Sequence, residues 1–382
     1  AYDLQATVSA TNTRYRGVHL KSPRADPHLV TDQLVLTNVT TVVSNGNYLS
    51  SVGLSGGPSE CTLKAKSIDF RFVQDTVEVL GLEGQAYPGY TLRMFSDSAA
   101  RVLKEFVFTR PVTLSGGGMF PMGDDMKLMK GRIRFDASAG RVRYPLLGTT
   151  LDLGRTKGEV LISPQWVVVD KMMGTIWDGT FTGRILAQID DGDALNGSFV
   201  LQDMNLTSIG KSYDKKMEKA TVHGAIEFSS KGGNMNSIQA KGEAALVHGD
   251  LVEIPLFGFL GEALSNYIPG LGHLINYKIS RADCDFSIEK GYVRTSNFAA
   301  QGSNMSLEGG GWIRLSDLQV NSDFKLGLRG LPGFITSPVF LLAGGLFQVR
   351  GTGPLSNVSW NFAPFSGGKA PVPPAAAPAR KR

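Results

Sequence analysis

A chain of 382 residues is long enough for one large all-β unit or two smaller domains. Only 19% of it is charged and it carries 46 glycines, against ordinary shares of roughly 25% and about 7%; the glycines follow no collagen-like triplet and read as bends and turns along strands. The net charge of +5 comes from scattered Lys and Arg, with one dense basic run at Arg380–Arg382, so no basic face points to nucleic acid. A mildly basic surface and attraction to an anionic membrane surface are the two readings of that charge.

Period-two alternation of apolar and polar residues fills most of the sequence. Strands are predicted at Leu4–Ser9, Tyr15–Leu20, Gln33–Leu36 and Thr40–Val43, with Asn45-Gly46-Asn47 as a turn, then at Ala65–Phe72 and Thr76–Gly81. The middle of the chain predicts Gly131–Ala137, Arg141–Tyr144, Gly158–Ile162, Trp166–Lys171, Thr180–Ile189 and Gly197–Met204. Later come Thr221–Ser229, Ile238–His248, Ala282–Ile288, Tyr292–Ala300, Met305–Leu315, Leu318–Leu328 and Gly345–Gly353. Two segments have helical spacing instead. Ala99, Val102, Leu103 and Phe106 form a stripe in Ser96–Phe108, and Leu256, Phe257, Leu260, Leu264 and Ile268 form one in Pro255–Ile268. Short helices are also expected in Lys211–Lys219 and Phe334–Leu342. The fold class is therefore mainly β, with one elongated unit favoured and a few short helices. The expected divisions are an N-terminal β segment at 1–130, a second β domain at 131–366 and a disordered Pro/Ala-rich tail at 367–382.

Residues that carry chemistry are sparse. None of the five histidines stands in zinc-ligand spacing with another His or Cys, and there is no nucleophile elbow. Ser115-Gly116-Gly117-Gly118 lacks the Lys-Ser/Thr of a phosphate loop. Asp190-Asp191-Gly192-Asp193 lacks the alternate carboxylates and closing Glu of a calcium loop, and reads as a solvated turn. No paired carboxylates stand in a context that suggests a glycan hydrolase. No catalytic residue, metal or cofactor is expected. Cys61 and Cys284 are too far apart in sequence for a pairing to be argued, and Cys284 falls on an apolar strand face as a buried thiol. The longest apolar stretches are too short to span a bilayer, and a start inside a strand pattern suggests a piece of a longer protein.

Apolar faces are what remain. Phe181, Ile185 and Ile189 line one strand face, Val222, Ile226 and Phe228 another, and Leu318, Val320, Phe324, Leu326 and Leu328 a third. Ala282, Cys284, Phe286 and Ile288 face one way while Asp283, Asp285, Ser287 and Glu289 face the other. Such faces form either the inside of a packed sandwich or an open stripe for acyl chains or another apolar partner.

Three stretches, taken in order, resemble the AsmA family of bacterial envelope proteins, which includes TamB. They are Gly158–Leu161 through Ile176–Gly183; Gly242–Leu251 followed by Ile254-Pro255-Leu256-Phe257; and Arg281–Leu315 closed by Leu346–Val358. The resemblance covers roughly 131–364 well and 1–130 only as a similar rhythm. One departure is Asn357-Val358, where the family pattern leads one to expect Asn-Pro. The resemblance implies an elongated, twisted antiparallel β-sheet curved into a long groove with a hydrophobic interior, in a periplasmic protein held in the inner membrane by an anchor absent from this chain. It also implies phospholipid transport between inner and outer membranes, or outer-membrane biogenesis. The partners would be phospholipid acyl chains, a membrane and an outer-membrane or periplasmic protein. Phe181, Ile185, Ile189, Val222, Ile226, Phe228, Phe257, Leu260, Phe286, Ile288, Phe324 and Leu326 are the candidate lipid-groove residues. The Pro255–Ile268 helix either gates one end or caps the sheet edge. The alternative is a non-enzymatic scaffold or chaperone module for outer-membrane protein assembly, with a filled core and partner binding along strand edges.

Overall fold

The computed structural model describes residues 6–94, 103, 106–122, 129–146, 149–188, 194–213, 220–231, 237–250, 278–303, 305–328, 346–355 and 357–364. Its 22 strands form one antiparallel sheet that does not close into a barrel, accompanied by a few short helices. The chain divides into two compact units, one of residues 1–176 and 180–195, the other of 177–179 and 196–382. Residue 130, the boundary expected from the sequence, opens a strand whose register with its predecessor is continuous from Thr113↔Asp136 to Met119↔Lys130.

The first unit is a meander. It runs β1 (Val8–Ser9), β2 (Thr13–Tyr15), β3 (Val18–Val30), β4 (Gln33–Ser44), α1 (Gly46–Ser51), β5 (Glu60–Arg71), β6 (Thr76–Ala86) and α2 (Pro88–Thr91). Then come β7 (Val107–Phe108), β8 (Val112–Pro121), β9 (Lys130–Asp136), β10 (Arg141–Leu146), β11 (Thr149–Ile162), β12 (Trp166–Ile176) and β13 (Gly179–Gln188). β9 and β10 lie end to end along β11, pairing Gly131↔Ile162 at one end and Leu146↔Thr149 at the other. The step between them is closed by the Ala137 N–H donating to the Thr156 carbonyl at 2.8 Å. The core is tight: Val18, Val43, Ala86, Tyr87 and Val112 are fully buried. Tyr48 of α1 packs on Tyr87 with ring centroids 4.9 Å apart, and its hydroxyl accepts the Phe108 N–H.

Several local expectations are corrected here. The stretch Tyr15–Leu20 is two strands joined at Arg16-Gly17, both with positive φ, which suits a tight hairpin. Asn45-Gly46-Asn47 begins α1 rather than a turn. Val107–Phe108, the end of the expected helix 96–108, is strand β7 paired with β10, while residues 96–102 and 104–105 of that stretch lie outside the described residues. Ser115–Gly118 lies within β8: a Cβ on Gly118 would sit 2.6 Å from the Gly131 Cα, so the glycines let three strands approach closely.

The second unit contains β14 (Leu195–Asn205), α3 (Leu206–Ser212), β15 (Thr221–Ser230), β16 (Gln239–Asp250) and β17 (Lys278–Glu289). It continues with β18 (Tyr292–Gly302), β19 (Met305–Arg314), β20 (Gln319–Leu328), β21 (Leu346–Pro354) and β22 (Ser359–Pro364). Of the helix expected over Lys211–Lys219, Lys211 and Ser212 close α3 and residues 214–219 lie outside the described residues; α3 starts at Leu206, where the Asn205 side chain caps it by accepting the Thr207 N–H at 2.8 Å. The expected helices at Pro255–Ile268 and Phe334–Leu342, the Asp190–Asp193 turn and the Pro/Ala-rich tail lie outside the described residues.

From β15 to β22 each strand pairs with the next, and the register strings side chains into rows across the sheet. One row is Leu246, Ala282, Ala300, Leu307, Leu326 and Phe347, every member directly opposite the next and buried. It is the spine of a core that also takes in Phe324, Val349 and Trp360. β17 and β18 slip register between Asp283 and Ser287, and Asn297 fills the gap: its Oδ1 accepts the Asp285 N–H at 2.9 Å and its Nδ2 donates to the Asp285 carboxylate at 2.7 Å.

Part of the glycine surplus has a spatial explanation. Gly158 faces Phe135, Gly242 faces Phe286, Gly309 faces Phe324 and Gly351 faces Trp360 as direct cross-strand partners. A Cβ on any of these glycines would come within 2.5–3.0 Å of its partner's ring. The rings lie over bare backbone, a cross-strand glycine–aromatic pairing that fills the surface the glycine leaves empty.

Candidate functional site

The face of β15, β16 and β17 that carries the buried row has three further rows. Gly224, Ala244 and Cys284 form one, Ile226, Gly242 and Phe286 the next, and Phe228, Ala240 and Ile288 the last. Alternation places all of these side chains on the same side as Leu246 and Ala282. Their burial differs. Ile226, Phe228, Phe286 and Ile288 are each only half-buried and, among the described residues, belong to no packed core, although they share strands with residues that do. Phe199 of β14 extends the patch, stacked on Phe228 at 6.1 Å with nearly parallel rings. The Phe286 ring is held flat by its seat on Gly242.

The structure thus brings together Val222, Ile226, Phe228, Phe286 and Ile288 on one face, with Val222 at the margin where it packs against the core. Phe324 and Leu326, at 2% and 0% exposure, are in that core and present nothing to a ligand. In the first unit Phe181 is also buried, its ring against Gly174, while Ile185 is half-buried on β13. Ile189, Phe257 and Leu260 lie outside the described residues. Phe199 was missed by sequence reasoning; its alternation within Gly197–Met204 was the available signal.

The patch is apolar throughout except for one thiol. Both cysteines are free, Cys61 buried and Cys284 half-buried. Burial first, then the neighbouring charges of Asp285 and Asp283, push the Cys284 thiol up, so its reactive thiolate is scarce at neutral pH. Among the described residues no group of three or more His, Cys, Asp or Glu could hold a metal ion, and no helix is long and apolar enough to cross a membrane. What the arrangement can do is cover apolar chain with apolar side chains. A strand surface of alternating Phe, Ile and small residues offers ridges and troughs of methylene width, without polar groups that would need to be satisfied.

Comparison of the chain with protein-family models, with curated proteins and with solved structures finds no match.

Proposed function

We propose that this chain is a lipid-binding β-sheet module of an AsmA-like envelope protein, assisting phospholipid transport between inner and outer membranes or outer-membrane biogenesis. One observation carries the reading: Ile226, Phe228, Phe286 and Ile288 stay partly exposed on the same face that carries the buried Leu246 and Ala282. Four large apolar side chains left partly in water forgo stabilisation of roughly 25 cal/mol per Å2 of surface, which an acyl chain laid along them recovers. The resemblance of the Ile176–Gly183, Gly242–Phe257 and Arg281–Val358 units to the AsmA family supports the same reading. So does the absence of any need for a catalytic group, since lipid moves along a surface without a bond being broken. The phospholipid acyl chain is the partner on this face, and the parent protein is periplasmic and anchored in the inner membrane.

Native mass spectrometry of the chain, with identification of bound lipid, tests the reading, and Cys284 supplies a site-resolved version. A maleimide at mildly alkaline pH is expected to label Cys284 but not Cys61, and oleate or phospholipid is expected to slow that labelling. Lipid-free spectra together with labelling unchanged by lipid would refute the reading and favour a scaffold for outer-membrane protein assembly.

A further inference from the structure

We propose that the polar face of the first unit carries a binding site for a phosphate-class oxyanion, built by Arg132, Arg134, Lys157 and Lys171 around the buried carboxylate of Glu159. The site is a depression of about 380 Å3 over β8, β9, β11 and β12. That is room for a phosphate group with a small alcohol or sugar attached. It is distinct from the apolar patch of the second unit, and the proposal does not depend on that patch binding lipid.

The strand pattern builds it. β9 alternates strictly, with Arg132, Arg134 and Asp136 exposed and Gly131, Ile133 and Phe135 turned to the other face. Register sets Arg134 directly opposite Glu159, and between the pairs Lys157↔Met173 and Glu159↔Asp170 the β12 strand carries one extra residue, a bulge that takes in Lys171. Across β12, Lys171 has φ +50, a left-handed conformation that a non-glycine residue adopts only against a steric penalty. That conformation brings its Nζ to 3.9 Å from the Glu159 Oε2.

Glu159 is 6% exposed, yet it faces three cations: Arg132 Nε at 3.3 Å and Arg134 Nε at 3.5 Å from Oε1, besides Lys171. Those three side chains are 64–75% exposed, so their outer surfaces remain open to solvent. One carboxylate cannot neutralise three cations, and of the other acids nearby Asp136 is held by Ser138 and interacts with Lys157 alone among the cations of the site, while Asp170 is paired outside it. Hydrogen bonds from the Ser138 side chain and backbone hold the Asp136 carboxyl below the usual carboxylate range, and Asp170 pairs with Arg184 at 3.7 Å. The lining therefore holds four cations against two carboxylates. Among the described residues neither guanidinium makes a hydrogen bond to a protein group, nor do the hydroxyls of Thr113 and Ser115, which complete the wall. Two largely exposed guanidiniums that approach the buried acid through Nε keep donors for bidentate contact with phosphate oxygens.

The phosphate can come from a soluble ester or from a lipid headgroup, and two probes separate them. Calorimetric titration of the full chain with inorganic phosphate and glycerol 3-phosphate reads the soluble source. Flotation with vesicles of phosphatidylcholine alone, or mixed equally with phosphatidylglycerol, reads the lipid source. Saturable binding of either probe is expected, weakened roughly tenfold or more by Arg132→Ala and several-fold by Lys171→Gln. Arg143→Ala, which removes an equal exposed charge from the same unit, is expected to leave it unchanged. Circular dichroism checks that the variants fold, and Lys171→Gln, at a largely exposed position, serves if Arg132→Ala does not. Binding of neither probe, or equal weakening by Arg143→Ala, overturns the proposal.

Discussion

Two groups of apolar side chains on one face of the second unit have the same sequence grammar and opposite fates. Leu246, Ala282, Ala300, Leu307, Leu326 and Phe347 cross β16 to β21 fully buried, whereas Ile226, Phe228, Phe286 and Ile288, on the same face of β15 and β17, stay half in water. Both groups alternate with polar residues, and both are Phe- and aliphatic-rich. What separates them is what lies opposite. The first group shares a core with Val349, Val358 and Trp360, while the second joins no buried cluster among the described residues. Apolar alternation therefore marks a face that wants cover, and only the surroundings determine whether protein or ligand supplies it.

The comparison breaks most visibly under an inserted charge. Phe324→Asp is expected to unfold the second unit, because an unpaired carboxylate would replace a ring at 2% exposure. Phe286→Asp is expected to leave the fold intact, losing about 1–2 kcal/mol in urea titration while abolishing uptake of a fluorescent fatty acid. Equal unfolding by both would erase the distinction. Truncation repeats the contrast at smaller scale. Leu326→Ala should lose about 2–5 kcal/mol, and Ile226→Ala under about 1.5, since only a fully packed site leaves a cavity.

The glycine seat sharpens the open side. Gly242→Ala sets a methyl 2.5 Å from the Phe286 Cζ and also against the Ala225 carbonyl, so a loss of about 1–3 kcal/mol is expected. A double-mutant cycle with Phe286→Leu should recover part of it, and strict additivity would mean that the ring does not rest there.

The smallest effect belongs to the packed core of the first unit. Burial, then the neighbouring Cys61 and Tyr48, push the Tyr87 hydroxyl up to about 12. An acid raised above its unfolded value of 10.0 favours the neutral folded form. Its contribution is therefore complete below about pH 10 and is lost as pH climbs from 10 towards 12. Tyr87→Phe should flatten that alkaline limb of the stability profile. At neutral pH it should change stability by less than about 1 kcal/mol, because the hydroxyl has no hydrogen-bond partner among the described residues.

Much of the fold was legible strand by strand, because period-two alternation is a local property. The corner at Lys290-Gly291, with both residues at positive φ, carries the glycine expected of a tight hairpin. The hairpin at Trp177-Asp178 has the same geometry, with φ +49 and +62, and no glycine at all. It is held from outside: the Trp177 Nε1–H donates to the Ser212 Oγ at 2.9 Å, and the Ser208 hydroxyl donates to Asp178. No reading of residues 176–179 alone contains those partners. β8 was hidden for the opposite reason, since its glycines weigh against a strand until the neighbouring backbones are seen to need the space.

The candidate site divides in the same way. That Ile226, Phe228, Phe286 and Ile288 share faces within their own strands followed from the sequence, because a strand turns successive side chains to opposite sides. That β15 and β17 align those faces through β16, that Gly242 seats Phe286, and that Leu326 is closed over while Ile288 is not were decided by pairing between distant segments. By itself the sequence determined a mainly antiparallel β chain with apolar rows. Only the tertiary structure decided which rows became core, because register and cover depend on contacts that local patterning does not encode.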